Sequence, residues 1–213
     1  MNTQNNVIYC YNKTANSYAD KYYNELNYKH LDQLLLKAFA ENNKAKGRLI
    51  DFGCGPGQTT KYLYDNDFLD IIGTDISEEM IAVASKLNSN ISFEVADLLH
   101  LKYNDNTFGS AIAFYSFVHF TYEQFKIALL EVKRVLTING EFLLSFHVGD
   151  EVVTYNNFLD MDVSIKFYAF ELKNIITIIY NLGFEVIDCI VRQPYAQEYP
   201  SERAYIWLKK VNM

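Results

Sequence analysis

Asp51-Phe52-Gly53-Cys54-Gly55-Pro56-Gly57 puts one carboxylate and three glycines into a single turn. Glycines at that density let a backbone bend sharply and come close to a ligand. The N–H groups of a helix starting beyond the turn would face that ligand. Asp75 stands about twenty residues further on, the interval at which a carboxylate accepts both hydroxyls of a ribose. Asp75 also precedes a helix and would alternatively cap it. Asp97, within Ala96-Asp97-Leu98, would accept from an exocyclic amino group such as adenine's, or stand as a solvated loop acid. His119 and His147 are candidate bases, because imidazole titrates near neutrality, and either would equally serve as a structural histidine. Arg192 and Arg203 carry planar guanidinium forks that suit a carboxylate or phosphate, unless Glu198 and Glu202 in the same segment pair with them.

These residues need elements that bring them to one place. Short apolar runs over 48–52, 70–74, 91–95, 108–114 and 141–148 read as strands, the fourth apolar nearly throughout, as in a strand covered on both faces. Helical spacing separates them. Residues 58–65 follow the glycine turn, and Ser77 caps a helix whose first turn holds Glu78 and Glu79. Thr121 and Gln124 form a capping box before Phe125, Ala128, Leu129, Val132 and Leu136, with a stop at Asn139-Gly140. The first ~45 residues are helical, with Leu31, Leu34, Leu35, Ala38 and Phe39 on one face. Segment 149–168 is irregular. Helix 170–182 closes on Gly183, and strands 184–191 and 204–210 lack an intervening helix, so they form an antiparallel hairpin. Alternating strands and helices predict an α/β fold with a parallel sheet and helices on both faces. Asp51, Asp75 and Asp97 then line one crevice at the carboxyl ends of three strands.

A nicotinamide fingerprint needs a third glycine where Gln58 stands, and Asp51 would repel a pyrophosphate. An adenosine ligand without phosphate and with a cationic end suits three acids better, and S-adenosylmethionine is such a ligand. DFGCGPG, the acid of GTDIS, ADLLHL and the later LLEVKRVLTINGEFLLSF resemble the motifs of the class I S-adenosylmethionine-dependent methyltransferases across roughly residues 10–212. The resemblance implies a doubly wound, Rossmann-like, seven-stranded sheet, mostly parallel, with an antiparallel terminal hairpin strand. It implies cofactor binding by Asp51, Gly53, Cys54, Gly55 and Gly57, with Asp75 on the ribose, Ala96 and Asp97 near the adenine, and Ile76 and Leu98 flanking the ring. Tyr115 and Ser116 would face the methionine part. YNKTANSYADKY resembles the N-terminal tyrosine motif of members that methylate small molecules, so Tyr11 or Tyr18 would close over the cofactor, or simply pack the helix. The expected organisation is a helical cap over 1–46, a cofactor-binding core over 47–148, and a lid, helix and hairpin over 149–213. His147, Tyr155, Tyr168, Arg192 and Arg203 would border the acceptor, with His119 and His147 as the catalytic candidates. AFYSFVHF replaces the Pro-Pro-Tyr motif of nucleic-acid and glutamine methylation, which leaves a small molecule as the expected acceptor. A non-catalytic S-adenosylmethionine-binding regulator or partner would carry the same cofactor motifs.

Composition bounds these readings. The 213 residues include 26 Asp and Glu against 19 Lys and Arg, a net charge of −7 without a basic footprint for nucleic acid or anionic membrane. Cys10, Cys54 and Cys189 are too few and too scattered for a disulfide framework or a zinc site. No histidine–carboxylate spacing demands a metal. The N-terminus lacks a basic-then-apolar leader, and no apolar run approaches the ~20 residues of a membrane span. A cytoplasmic, reducing location is the expectation.

Overall fold

The computed structural model describes residues 3–212. The chain opens with helix α1 (Thr3–Tyr22), a 3-10 turn (Glu25–Tyr28) and α2 (His30–Asn43). It then alternates β1 (Leu49–Phe52), α3 (Gln58–Asp65), β2 (Ile71–Asp75), α4 (Glu78–Leu87), β3 (Ser92–Val95) and β4 (Phe108–Phe114). A second 3-10 turn (Phe117–His119) leads to α5 (Tyr122–Val135) and β5 (Leu136–His147). The remainder is β6 (Val152–Tyr155), β7 (Ile165–Tyr168), α6 (Leu172–Asn181), β8 (Phe184–Arg192) and β9 (Arg203–Lys210).

Seven strands form one sheet in the order β3-β2-β1-β4-β5-β9-β8, and only β9 and its neighbours pair antiparallel. The strand order reverses at β1 and β4, which opens a crevice between their carboxyl ends. Side chains alternate across the sheet with the period of two that strands impose. Ile50, Phe52, Ala111, Ala113, Phe142, Leu144 and Phe146 face α5 and α6. Leu49, Ile112, Leu143 and Trp207 face α2 and α3 on the other side. Both expected caps form: Ser77 Oγ accepts from the Met80 N–H at 3.1 Å, and Thr121 and Gln124 close a reciprocal box.

Three expectations are corrected. The buried face of α2 is Asp32, Leu36, Phe39, Ala40 and Asn43, while Leu34 is 66% exposed. The face is rotated from the leucine stripe because Asp32 has partners inside the protein. The stop at Asn139-Gly140 lies within β5. Leu136 already pairs with Phe108, pairing resumes with Glu141 opposite Ser110, and residues 137–140 loop out between them. Segment 149–168 holds a two-stranded hairpin, β6 against β7.

Candidate active site

The glycine turn forms the floor. Gly53 and Gly55 take φ of +67° and +54°, a region that side chains resist. A Cβ on Gly53 would lie 2.2 Å from the Ser116 Cβ, so the end of β4 presses directly on the turn. Gly57 does not border the cavity. Its left-handed backbone begins α3, and a Cβ there would meet Phe93 and Asn88 at 2.8 Å. Packing, rather than ligand approach, explains that glycine.

The three acids stand at the carboxyl ends of β1, β2 and β3 and line one cavity. Asp51 is 1% exposed, and the Thr60 hydroxyl donates to its Oδ2 at 2.6 Å. Burial pushes its carboxyl up to about 7, and the nearby Asp75 adds to this. Asp75 accepts the Gly55 N–H at 3.0 Å and the Ser77 N–H at 2.9 Å. Burial also raises Asp75 above the usual carboxylate range, against those two backbone bonds. Asp97 accepts from the Leu99 N–H at 2.9 Å and from Gln4 at 2.7 Å. Ile76, Ala96 and Leu98 border the same end, as do Cys54 and Ser116.

Helix α1 forms the roof. Gln4 reaches Asp97, and the Ser77 hydroxyl donates to Asn12 at 2.6 Å, so the roof is fastened to two strand ends. Tyr11 and Tyr18 both line the cavity, and burial drives both phenols well above their ordinary range. The third fastening fixes a tautomer. The Lys166 carbonyl can only accept, so His119 Nδ1, 2.9 Å away, carries the proton. His119 Nε2 is then bare and accepts from the Tyr11 hydroxyl at 2.7 Å. Burial lowers His119 to about 4, so the ring is neutral near pH 7. Its basic nitrogen is thus occupied by the Tyr11 hydroxyl. The β6–β7 hairpin closes the side. Val163 and Ile165 pack with Cys10 of α1, and Tyr11, Tyr155, Phe158 and Phe167 surround them.

The far end is polar and aromatic, bordered by Lys29, Tyr115, His147, Tyr155, Tyr168 and Arg203. His147 Nδ1 lies 2.7 Å from the Ser201 hydroxyl, and burial with the Arg203 and Lys29 charges lowers it to about 4. Arg192 does not border the cavity. It grips Glu198 with two bonds of 2.6 and 2.8 Å, donates to Asp32 at 3.1 Å and to the Tyr205 hydroxyl at 3.0 Å. Its donors are spent, which removes it from the expected substrate-binding set. Arg203 borders the cavity but donates to the Tyr199 carbonyl at 3.0 Å and lies 3.3 Å from Glu198. Lys29 is held by Glu25 at 2.7 Å and Glu198 at 3.7 Å. Sequence reasoning missed Gln4, Lys29, Asp32 and Tyr205; Gln4, Asp32 and Tyr205 have partners remote in the chain, Asp32 and Tyr205 being 173 positions apart, and Lys29 adds remote Glu198 to its neighbour Glu25.

The cavity measures about 1120 Å³. One drug-sized ligand commonly fills ~300–1,000 Å³, so two small ligands fit side by side. Nine carboxylate side chains border it against three lysine or arginine side chains. No group of three or more metal-ligating side chains occurs among the described residues, and none of their helices is long and apolar enough to cross a membrane.

Known proteins share this fold. Residues 49–140 match the family model described as "Methyltransferase domain". The chain is 28% identical over 147 residues to "Uncharacterized methyltransferase YcgJ" of Bacillus subtilis, covering 67% of this chain and 57% of that protein. It is 28% identical over 158 residues to the tRNA (carboxymethyluridine(34)-5-O)-methyltransferase of Saccharomyces cerevisiae, covering 70% of this chain and 55% of that one. Among solved structures, magnesium protoporphyrin IX methyltransferase from Synechocystis with bound S-adenosylmethionine superposes with a TM-score of 0.75 at 15% identity, over 99% and 98% of the two chains. The chain spans between 13% and 59% of the length of the curated relatives it matches.

Proposed function

We propose, for a chain whose residues 49–140 belong to the methyltransferase domain family and whose fold is that of the class I S-adenosylmethionine-dependent methyltransferases, that it transfers a methyl group from S-adenosylmethionine to a small-molecule acceptor. The observation that carries this reading is one roofed cavity with two unlike ends: a glycine turn with three strand-end acids, and a polar aromatic chamber.

The first end fits the cofactor. Asp75 would hold the ribose hydroxyls, Asp97 the adenine amino group, and Ile76 and Leu98 the faces of the ring. Asp51 would pair with the methionyl ammonium, which restores the charge that burial otherwise suppresses. Ser116 Oγ is buried without a partner beside the glycine turn, so a hydroxyl is left over for a ligand there. When bound, S-adenosylmethionine supplies a methyl group activated by its sulfonium.

The chain supplies position and dryness. Tyr11 and Tyr18 seal the roof, and the hairpin seals the side. Enclosure of this kind favours an acceptor that enters whole. The acidic lining repels a polyanion such as RNA, whose binding normally needs lysine and arginine contacts.

Calorimetry with S-adenosylmethionine, S-adenosylhomocysteine and NADH tests the cofactor, and transfer of labelled methyl to small alcohols, phenols, amines and thiols tests the acceptor class. Binding of both adenosyl ligands without NADH is the expected result. Binding of NADH alone would overturn the reading, and labelling of tRNA with no labelling of any small molecule would overturn the acceptor class.

A further inference from the structure

Tyr115, expected to face the methionine part of the cofactor, has its hydroxyl in a chain with Tyr205 and Asp32 that cofactor binding does not account for. Tyr205 is 1% exposed and has one proton, which it donates to Asp32 Oδ2 at 2.8 Å. The Tyr205 oxygen accepts from Arg192 Nε at 3.0 Å. Tyr115 lies 2.8 Å from Tyr205, and since the Tyr205 proton is already committed, Tyr115 must be the donor. Tyr115 borders the cavity, and its oxygen keeps its lone pairs to accept from a ligand there.

We propose that Tyr115, Tyr205 and Asp32 form a proton relay that deprotonates a neutral aromatic hydroxyl, so that the reaction is an O-methylation with Tyr115 as the residue touching the acceptor. This rests on the methyltransferase reading above. In the step, the acceptor oxygen forms its bond to the methyl carbon as the carbon–sulfur bond breaks, its electron pair passing to sulfur. The hydroxyl proton passes to Tyr115, the Tyr115 proton to Tyr205, and the Tyr205 proton to Asp32 Oδ2. One positive charge on sulfur and one negative charge on Asp32 vanish together, so the step leaves the net charge of the site unchanged.

Three further observations support the relay. Tyr115 is a non-glycine residue at φ +57°, held by its N–H on the Ser145 carbonyl and hydroxyl at 3.1 and 3.2 Å. Such backbones are strained for a residue with a side chain and concentrate at functional sites. Asp32 is 1% exposed, yet its Oδ1 has no partner, whereas an ion pair built only for structure would satisfy both oxygens. Burial also raises Asp32 above the usual carboxylate range, which makes it a stronger base than a surface acid. The groups around the relay are Lys29, Arg192, Arg203, Glu198 and His147. Glu198 lies 3.7 Å from Lys29 and 3.3 Å from Arg203, so both charges are partly balanced and their pull on an anionic acceptor is weakened. The walls of Tyr155, Phe167 and Tyr168 suit a ring.

Two probes test this, phenol and 4-nitrophenol. Phenol ionises near pH 10, as tyrosine does, and needs a base, whereas 4-nitrophenol ionises about three units lower and is largely ionised at an assay pH of about 9 even after an upward shift of one unit. Without cofactor, the absorbance of bound 4-nitrophenol should report an ionisation shifted upward by the Asp32 charge, and Asp32→Asn should bring it back by about one pH unit. With S-adenosylmethionine, Tyr205→Phe and Tyr115→Phe should each lower the phenol-to-4-nitrophenol rate ratio by ~10²-fold. A loss shared equally by both probes would leave the ratio fixed and overturn the relay. So would a ratio that falls in His147→Gln instead, or a wild-type protein that binds S-adenosylmethionine but neither binds nor methylates these phenols. Failure to bind S-adenosylmethionine would instead reject the methyltransferase reading.

Discussion

Asp51 shows how one residue ties binding to pH. Its carboxyl is pushed up to about 7 by burial, with only the Thr60 hydroxyl in support. An ammonium group arriving beside it favours the charged form and so expels a proton. Cofactor affinity should therefore climb as pH rises from 5.5 towards ~7 and level off above it, with proton release on binding over the rising range. Calorimetry in two buffers of different ionisation enthalpy measures that release. Asp51→Asn should abolish both the release and the slope while lowering affinity by ~1–3 kcal/mol at pH 8. An unchanged slope would place the ammonium elsewhere. Asp51 and its glycines were legible in the sequence because their motif is local. Asp32 was not, because an aspartate on a helix reads as exposed until its partners on β8 and β9 are known.

Elements differ in the same way. The strands of the sheet and helix α3 were readable from apolar runs and glycine breaks, and α3 begins and ends where its spacing predicts. The β6–β7 hairpin was not, since four-residue strands separated by a long loop lack a turn signal. Its place is fixed by contacts with α1, which no local pattern encodes. Roof and hairpin meet on one imidazole, with Tyr11 on Nε2 and the Lys166 carbonyl on Nδ1. If this clasp holds α1 down over bound cofactor, Tyr11→Phe should remove one hydrogen bond worth ~0.5–1.5 kcal/mol. The cofactor should then dissociate roughly 2–10-fold faster, with a smaller change in association. Stopped-flow displacement with excess S-adenosylhomocysteine measures both rates. Faster association with unchanged dissociation would mean that the clasp controls entry instead.

Across the whole molecule, the groups that serve the cavity also set its tolerance of acid. His119 is neutral in the folded chain, with burial lowering it to about 4, against ~6.5 when unfolded. Between those values the unfolded chain binds the extra proton, so this histidine's contribution is fully present above pH ~6.5 and is lost as pH falls towards 4. His147, also lowered to about 4, acts in the same direction. Asp32, Asp51 and Asp75 act in the opposite one, because burial raises their carboxyls and favours their protonated forms in the fold. The total pH dependence of stability is thus a difference of opposed effects, and the share of His119 must be read from a variant. At one pKa unit per ~1.4 kcal/mol, His119→Asn should remove up to roughly 3 kcal/mol of acid sensitivity. The variant should be less stable than wild type at pH 7.5, where the native hydrogen bonds are intact, and should close most of that gap by pH 4.5. Urea midpoints at both pH values measure the two gaps. A gap that instead widens towards pH 4.5 would mean that His119 is charged in the fold. The bare nitrogen that accepts from Tyr11 would then not exist, and the clasp between roof and hairpin would need another donor.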